Sequence, residues 1–144
     1  MKSEIFDYLN SQRVGVLAVE MPDGSPHGAT VHFAYTEEPF VFFFETNRDY
    51  RKTEALFAKT TVRASFVVGT DELAKKTMQL DGIATLLRAE EKEIYDHVYL
   101  AKYPEKIKKS LDPKAVFFKF TPTWWRYTDW AHISASGTPI IVTS

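Results

Sequence analysis

The chain has no cysteine, which excludes disulfides, thiolate metal sites and thiol catalysis and favours a cytoplasmic location. Neither charge is in excess: 18 lysines and arginines face 19 acidic residues, a formal charge of −1. No broad field therefore draws the protein to duplex nucleic acid or an anionic membrane, and any anion site must be local. No apolar run approaches the roughly 20 residues that span a bilayer. Residues 1–13 carry Glu4, Asp7, Asn10 and Gln12 where an export signal needs an unbroken apolar core, so a soluble, cytoplasmic protein is expected. Internal repeats and low-complexity segments are also missing. Four histidines, at 27, 32, 97 and 132, lack metal-ligand spacing such as an i, i+4 pair on a helix, and no metal is expected.

What is present is apolar and aromatic. Hydrophobic residues make up 44% and aromatic residues 15% of 144 positions, enough to bury a core and to predict one folded domain over residues 1–144. Ser3 ahead of Ile5, Phe6 and Leu9 predicts a short amphipathic helix. Residues 14–21 and 28–36 are rich in β-branched and aromatic side chains around a Pro-Asp-Gly turn, a β-hairpin pattern. The run Phe40-Val41-Phe42-Phe43-Phe44 does not alternate and predicts a strand covered on both faces. Strands are also expected over 62–69, with Val62, Ala64, Phe66 and Val68 on one side, and over 77–88, where Gly82 marks a bulge or a close backbone approach. Residues 89–103 read as a helix with the apolar series Ile94, Val98 and Ala101, and Pro104 suits the first turn of the next short helix. Residues 115–130 read as two strands or one bent strand, and 131–144 as a tail. Hairpin signals with single inserted helices predict a mainly β fold with peripheral helices, a closed antiparallel barrel in place of a parallel doubly wound sheet.

The aromatic strand runs into Thr46 and Asn47 and then into a helix opened by Arg51 and Lys52. Helix N-termini favour anions, an arginine fork grips two phosphate oxygens, and a lysine adds a compact charge. Pattern alone also allows Arg48, Arg51 and Lys52 to be solvated residues pairing with Asp49 and Glu54. Lys102, Lys106, Lys108, Lys109 and Lys114 crowd a helical region with few acids and no interleaved aromatics, which reads as a solvated face without function.

The hairpin over 14–35, the 42–56 strand-to-helix stretch, the segment Gln79-Leu80-Asp81-Gly82 and the late 117–130 stretch occur in an order that resembles the FMN-binding split barrels related to pyridoxamine 5'-phosphate oxidase. The resemblance implies a six- to seven-stranded antiparallel split β-barrel that binds FMN as a homodimer, with flavin sites at the subunit interface. It assigns the flavin phosphate to Arg51 and Lys52 and puts Thr46 and Asn47 near the flavin or its ribityl chain. Ala29, Thr30, Val31 and His32 would run along the ring edge. Gln79 would reach the ribityl chain or phosphate, Trp125 would approach the partner's flavin, and Arg126 would sense the same anion or cap a carboxylate. Tyr50 stands where the oxidase motif tends to carry a small serine. The C-terminal Arg-x-His-Asp-Arg-like segment of true pyridoxamine phosphate oxidases is replaced by residues 124–130, Trp-Trp-Arg-Tyr-Thr-Asp-Trp. The expected activity is thus an oxidoreductase of unassigned small-molecule substrate. A non-catalytic flavin store or sensor, and a deazaflavin- or haem-binding relative, are the alternatives.

Overall fold

In the computed structural model, which describes residues 1–144, the first hairpin pairs β1 (Val14–Glu20) with β2 (Pro26–His32). Its turn is closed by the Gly24 amide donating to Met21 O (2.8 Å) and by Asp23 Oδ1 accepting from the Ser25 amide (2.9 Å), with Gly24 at φ +85°. The left-handed backbone there explains the glycine of the turn. After Phe33 the chain continues as β3 (Ala34–Thr36), which pairs with β4 (Val41–Asn47). Strands β5 (Val62–Val68), β6 (Lys76–Leu86) and β7 (Ala115–Ile133) complete the order β2-β1-β5-β6-β7-β4-β3. Because β2 and β3 are two parts of one strand bent at Phe33, the first and last members of that order join and six strands close an antiparallel barrel. The expected split barrel is the observed fold.

The barrel core is aromatic. Phe33, Phe42, Phe44, Phe66, Phe118 and Phe120 are fully buried, and Phe44 stacks on Phe118 with ring centroids 5.0 Å apart. Each such ring contributes roughly 1.5–3 kcal/mol by leaving water. Phe43, pointing the other way on β4, packs outside the barrel against α3 (Lys92–Lys102). That second layer is why the aromatic run does not alternate. Helices α1 (Ser3–Ser11) and α2 (Arg51–Ala58) add Ile5, Leu9, Ala55 and Leu56 to the main core.

Gly82 meets both expectations for it. The β6–β7 register shifts between Asp81 and Gly82, and a Cβ on Gly82 would lie 2.2 Å from Thr121 O. Residues 115–130 form one strand, β7, one of the two arrangements expected. Two sequence expectations need correction. Residues 131–144 are not a tail: β7 runs on to Ile133, and the chain turns at Ser134–Thr138, with Gly137 at φ +80°, and returns as β8 (Pro139–Thr143) paired with β7. The second concerns α3, whose buried face is Tyr95, Tyr99 and Tyr103, while Ile94 is 51% exposed. Tyrosine wins that face because its ring fills the core and its hydroxyl finds partners there: Tyr95 Oη donates to Glu45 Oε2 (2.8 Å) and Tyr103 Oη to Phe33 O (2.6 Å). Residues 89–91 are a 3₁₀ turn ahead of α3, and Pro104 does open the following turn, Pro104–Lys106, which leads into α4 (Ile107–Ser110). No helix is long and apolar enough to cross a membrane.

Candidate functional site

Strand pairing aligns Thr30, Val16, Val67, Gln79, Arg126 and Thr143 in one transverse row, one residue from each neighbouring strand. Val67, Gln79, Thr30 and Arg126 are exposed, so this row lies on the outer face of the barrel. Three of the residues singled out in the sequence, Thr30, Gln79 and Arg126, therefore share one surface. The next row, Gly28, Ala18, Ser65, Asp81 and Trp124, is built of small side chains at its β2 end. Small residues there leave an open groove of about 500 Å³, bounded on one side by the Arg63–Glu20 ion pair (2.6 Å). Ala29 and Val31 alternate inward, Val31 being buried in the core. Trp125 packs partly buried against the core, and it is Trp124 whose ring lies 5.4 Å beneath the Arg126 guanidinium.

A second constellation forms where β4 meets α2. Asn47 builds the turn: its Oδ1 accepts from the Asp49 amide (2.9 Å), and its carbonyl accepts from the Tyr50 amide (3.0 Å) and Thr53 Oγ1 (2.8 Å). Tyr50 occupies the N-cap position and provides no side-chain cap, so the first turn of α2 presents amides without a capping acceptor. Lys52 is 6% exposed, forms no ion pair, and holds its ammonium 4.8 Å over the Tyr50 ring. Burial, and then the positive charge of Lys109, hold that ammonium below the usual lysine range. Thr46 is buried and its hydroxyl has no partner. Glu45 beside it is buried too, with Oε2 taking Tyr95 Oη and Ser110 Oγ (2.6 Å) while Oε1 has no partner.

Arg48 and Arg51 are exposed, as the solvated reading expects, but Lys52 is buried and none of the three pairs with Asp49 or Glu54. Asp49 is taken by Lys114 (2.6 Å), and Arg48 lies 5.5 Å over the Phe57 ring. Lys52 is inside and Arg51 outside, since consecutive helical positions diverge by about 100°. Asp23 in the β1–β2 turn is held below the usual carboxylate range first by its hydrogen bonds from Ser25, with the charge of Arg51 a smaller contribution. His32 is half-buried, edge-on to Tyr103 at 5.5 Å, and held below the usual imidazole range by burial and then by Lys106, Arg13 and Lys109. Sequence reasoning missed Lys106, Lys109, Glu45 and Ser110; only the clustering of lysines signalled any of them.

One chain does not gather all these groups. Thr46 pairs with Val116 at the start of β7. Arg126 lies ten residues farther along the same strand, a path of roughly 30 Å along its length. Thr30 and Gln79 are three strand spacings apart, about 14 Å.

Residues 1–129 match the family model described as pyridoxamine 5'-phosphate oxidase. Solved structures share the fold. A haem binding protein from Mycobacterium smegmatis is 16% identical with a TM-score of 0.72, covering 94% of this chain and 54% of its own, so the present chain spans about half its length. A protein from Clostridium acetobutylicum related to general stress protein 26 of B. subtilis (pyridoxinephosphate oxidase family) is 18% identical with a TM-score of 0.67, covering 99% of this chain and 92% of its own. HutZ, the haem storage protein from Vibrio cholerae, is 18% identical with a TM-score of 0.63, covering 84% and 89% respectively. No curated protein matches.

Proposed function

The chain belongs to the pyridoxamine 5'-phosphate oxidase family, and from that premise we propose that it is an FMN-binding oxidoreductase working as a homodimer, its substrate a small molecule. The observation that carries this reading is Lys52: a buried ammonium in no ion pair, at an uncapped helix N-terminus, on the turn that follows Thr46 with its buried, unpartnered hydroxyl. A buried charge without a partner is unfavourable, and a phosphate dianion would satisfy the ammonium, the hydroxyl and the helix amides together. The residues present fit the phosphate of FMN. Arg51 supplies a second cation from the exposed side of the same turn. FMN supplies hydride or electron transfer when bound; the chain supplies position and the exclusion of water.

β2 supports the ring end of the site. Over Pro26–His32 it pairs with β1 on one side only, and until the bend at Phe33, beyond which β3 pairs with β4, its other edge has no strand partner. Free backbone donors and acceptors along Ala29, Thr30 and Val31 suit the carbonyl and imide edge of a flat heterocycle. Arg126 lies ten residues along β7 from Val116, the partner of Thr46, which supports a site completed by a second copy. The Arg51→Ala/Lys52→Ala double variant is expected to weaken FMN by roughly 100-fold while leaving riboflavin, which has no phosphate, nearly unchanged in a flavin-fluorescence titration. Equal loss for both ligands refutes the phosphate assignment.

A haem-binding reading has its own observation. His132 is 68% exposed, and its Nδ1 lies 2.7 Å from Oδ2 of the buried Asp129, an arrangement that orients Nε2 outward as a metal ligand. The spectrum of the protein as purified separates the two readings, a flavin band against a Soret band.

A further inference from the structure

Helix α2 leaves one large apolar side chain in water: Phe57, near its C-terminal end, is 53% exposed. The ring borders a cleft of about 280 Å³ that opens where β6 ends and β7 begins. Its other apolar walls are Leu86, Leu87, Val116 and Phe117. Leu86 packs against the barrel core, whereas Leu87 and Phe117 pack against the tyrosine layer of α3, so the cleft is the seam between the two cores. The Leu87 amide donates to Phe117 O (3.0 Å) and the Arg48 amide to Lys114 O (2.8 Å), which fixes both segments against β7 and its approach.

Three cations, Arg48, Arg88 and Lys92, line this cleft, and no carboxylate does. Two of them are matched from outside it. Arg88 pairs with Glu90 (3.3 Å) and Glu91 (3.5 Å), and Lys92 pairs with Asp96 while its ammonium lies 4.4 Å over the Phe117 ring. Glu91 also takes Lys119, Asp49 takes Lys114, and Glu45, held by Tyr95 and Ser110, does not line the cleft. Arg48 has neither an ion pair nor a side-chain hydrogen bond; its guanidinium lies 5.5 Å over the Phe57 ring. A guanidinium laid on a ring keeps its N–H fork free to grip two oxygens.

We propose that this cleft binds a small organic monocarboxylate with an apolar body, the carboxylate in the fork of Arg48 and the body between Phe57 and the Leu87–Phe117 wall. The volume is at the lower limit of ligand pockets, which suits a body no larger than one aromatic ring or a short acyl chain. A phosphate dianion would give up more hydration beside these apolar walls than one free cation replaces. Arg51, Lys52 and Thr46 take no part in the cleft, so the inference is independent of the FMN reading.

The test follows backbone amide shifts of the isotope-labelled full chain by two-dimensional NMR. The probes are phenylacetate, hexanoate, the neutral phenylacetamide, and sulfate as a bare anion. The variants are Arg48→Gln, Phe57→Ala and, as a net-charge control just beyond α2 and outside the cleft, Lys59→Gln. The acids are expected to shift the amides of Arg48, Leu87 and Phe117 saturably, with phenylacetamide about ten-fold weaker than phenylacetate. Arg48→Gln should weaken phenylacetate about ten-fold, to the level of the amide. Phe57→Ala should weaken acid and amide alike, and Lys59→Gln should change the acid by less than about two-fold. Equal affinity for acid and amide, or an Arg48→Gln variant that binds the acid like wild type, overturns the carboxylate assignment. Sulfate shifting the same amides at lower concentration than the acids overturns the apolar body. No shift of cleft amides with either acid at tens of millimolar overturns the site itself.

Discussion

Lys52→Met separates what the corner does for binding from what it does for stability. Methionine keeps the length and apolar packing of the stem and removes the ammonium, which in the wild type is 6% exposed with no carboxylate partner. The Tyr50 ring beneath it returns about 0.5–1 kcal/mol, less than the several kcal/mol that an unpaired buried charge forgoes in lost hydration. A net gain of about 1 kcal/mol is expected for the ligand-free variant, which for a domain of this size raises Tm by roughly 3 °C. The pH dependence has a definite sign. Burial holds the folded-state value of Lys52 below its ordinary 10.5, so the penalty is fully present below that lowered value. It is relieved as pH rises towards 10.5, because there the unfolded chain binds the extra proton. The advantage of methionine should therefore be largest near neutrality and shrink at alkaline pH. Thermal and urea melts at pH 7 and at higher pH, without ligand, measure it. A variant that melts below the wild type at pH 7, or a gap that stays constant with pH, refutes the claim that this ammonium is uncompensated. FMN should reverse the ranking, since only the wild type gains stability from the bound phosphate.

Gly82→Ala should lose about 3 kcal/mol in urea unfolding, with the midpoint lowered and the slope unchanged, because its Cβ would press on Thr121 O at 2.2 Å and the Phe120 ring at 2.9 Å; a loss under 1 kcal/mol would mean the bulge can open. Lys102 is held down to about 8, by burial first and then by the charge of Arg13, so its stability penalty is present below pH 8 and lifts towards 10.5. Wild-type stability should rise between about pH 8 and 10, before Tyr8, Tyr35 and Tyr103, held up to about 12, reverse the trend as the unfolded tyrosines ionise. Lys102→Met should flatten that rise, and parallel curves for variant and wild type would disprove the assignment.

The fold was legible wherever a local signal and a tertiary demand agreed. The Pro-Asp-Gly turn, the unbroken aromatic strand and Gly82 each encode in a few residues a requirement imposed by neighbouring strands. The tyrosine face of α3 was illegible because a scan for apolar residues counts tyrosine as polar, while the structure uses the ring as core and the hydroxyl as a tie to Glu45 and Phe33 O. The C-terminal hairpin was passed over as a tail although 137–143, Gly-Thr-Pro-Ile-Ile-Val-Thr, carries a turn glycine followed by β-branched residues. Its strand depends on β7 being one piece, which the apparent break at Pro122 concealed. That proline sits at the register shift opposite Gly82, where a strand tolerates a missing donor.

The site was legible by half. Thr46, Asn47, Arg51 and Lys52 are contiguous, so one turn carries them and the sequence displays them together. Their division of labour is not displayed: the helical rotation between adjacent positions sends Lys52 inside and leaves Arg51 outside, and Asn47 is consumed in shaping the turn. The place of α4 could not be recognised at all from spacing, because a single hydrogen bond spanning 65 residues, Ser110 to Glu45, ties it to the end of β4. A lysine run has the same composition whether it faces water or packs against a buried carboxylate. The deciding facts are tertiary: Ser110 ties this run to Glu45, whose Oε1, like the neighbouring Thr46 hydroxyl, is buried without a partner.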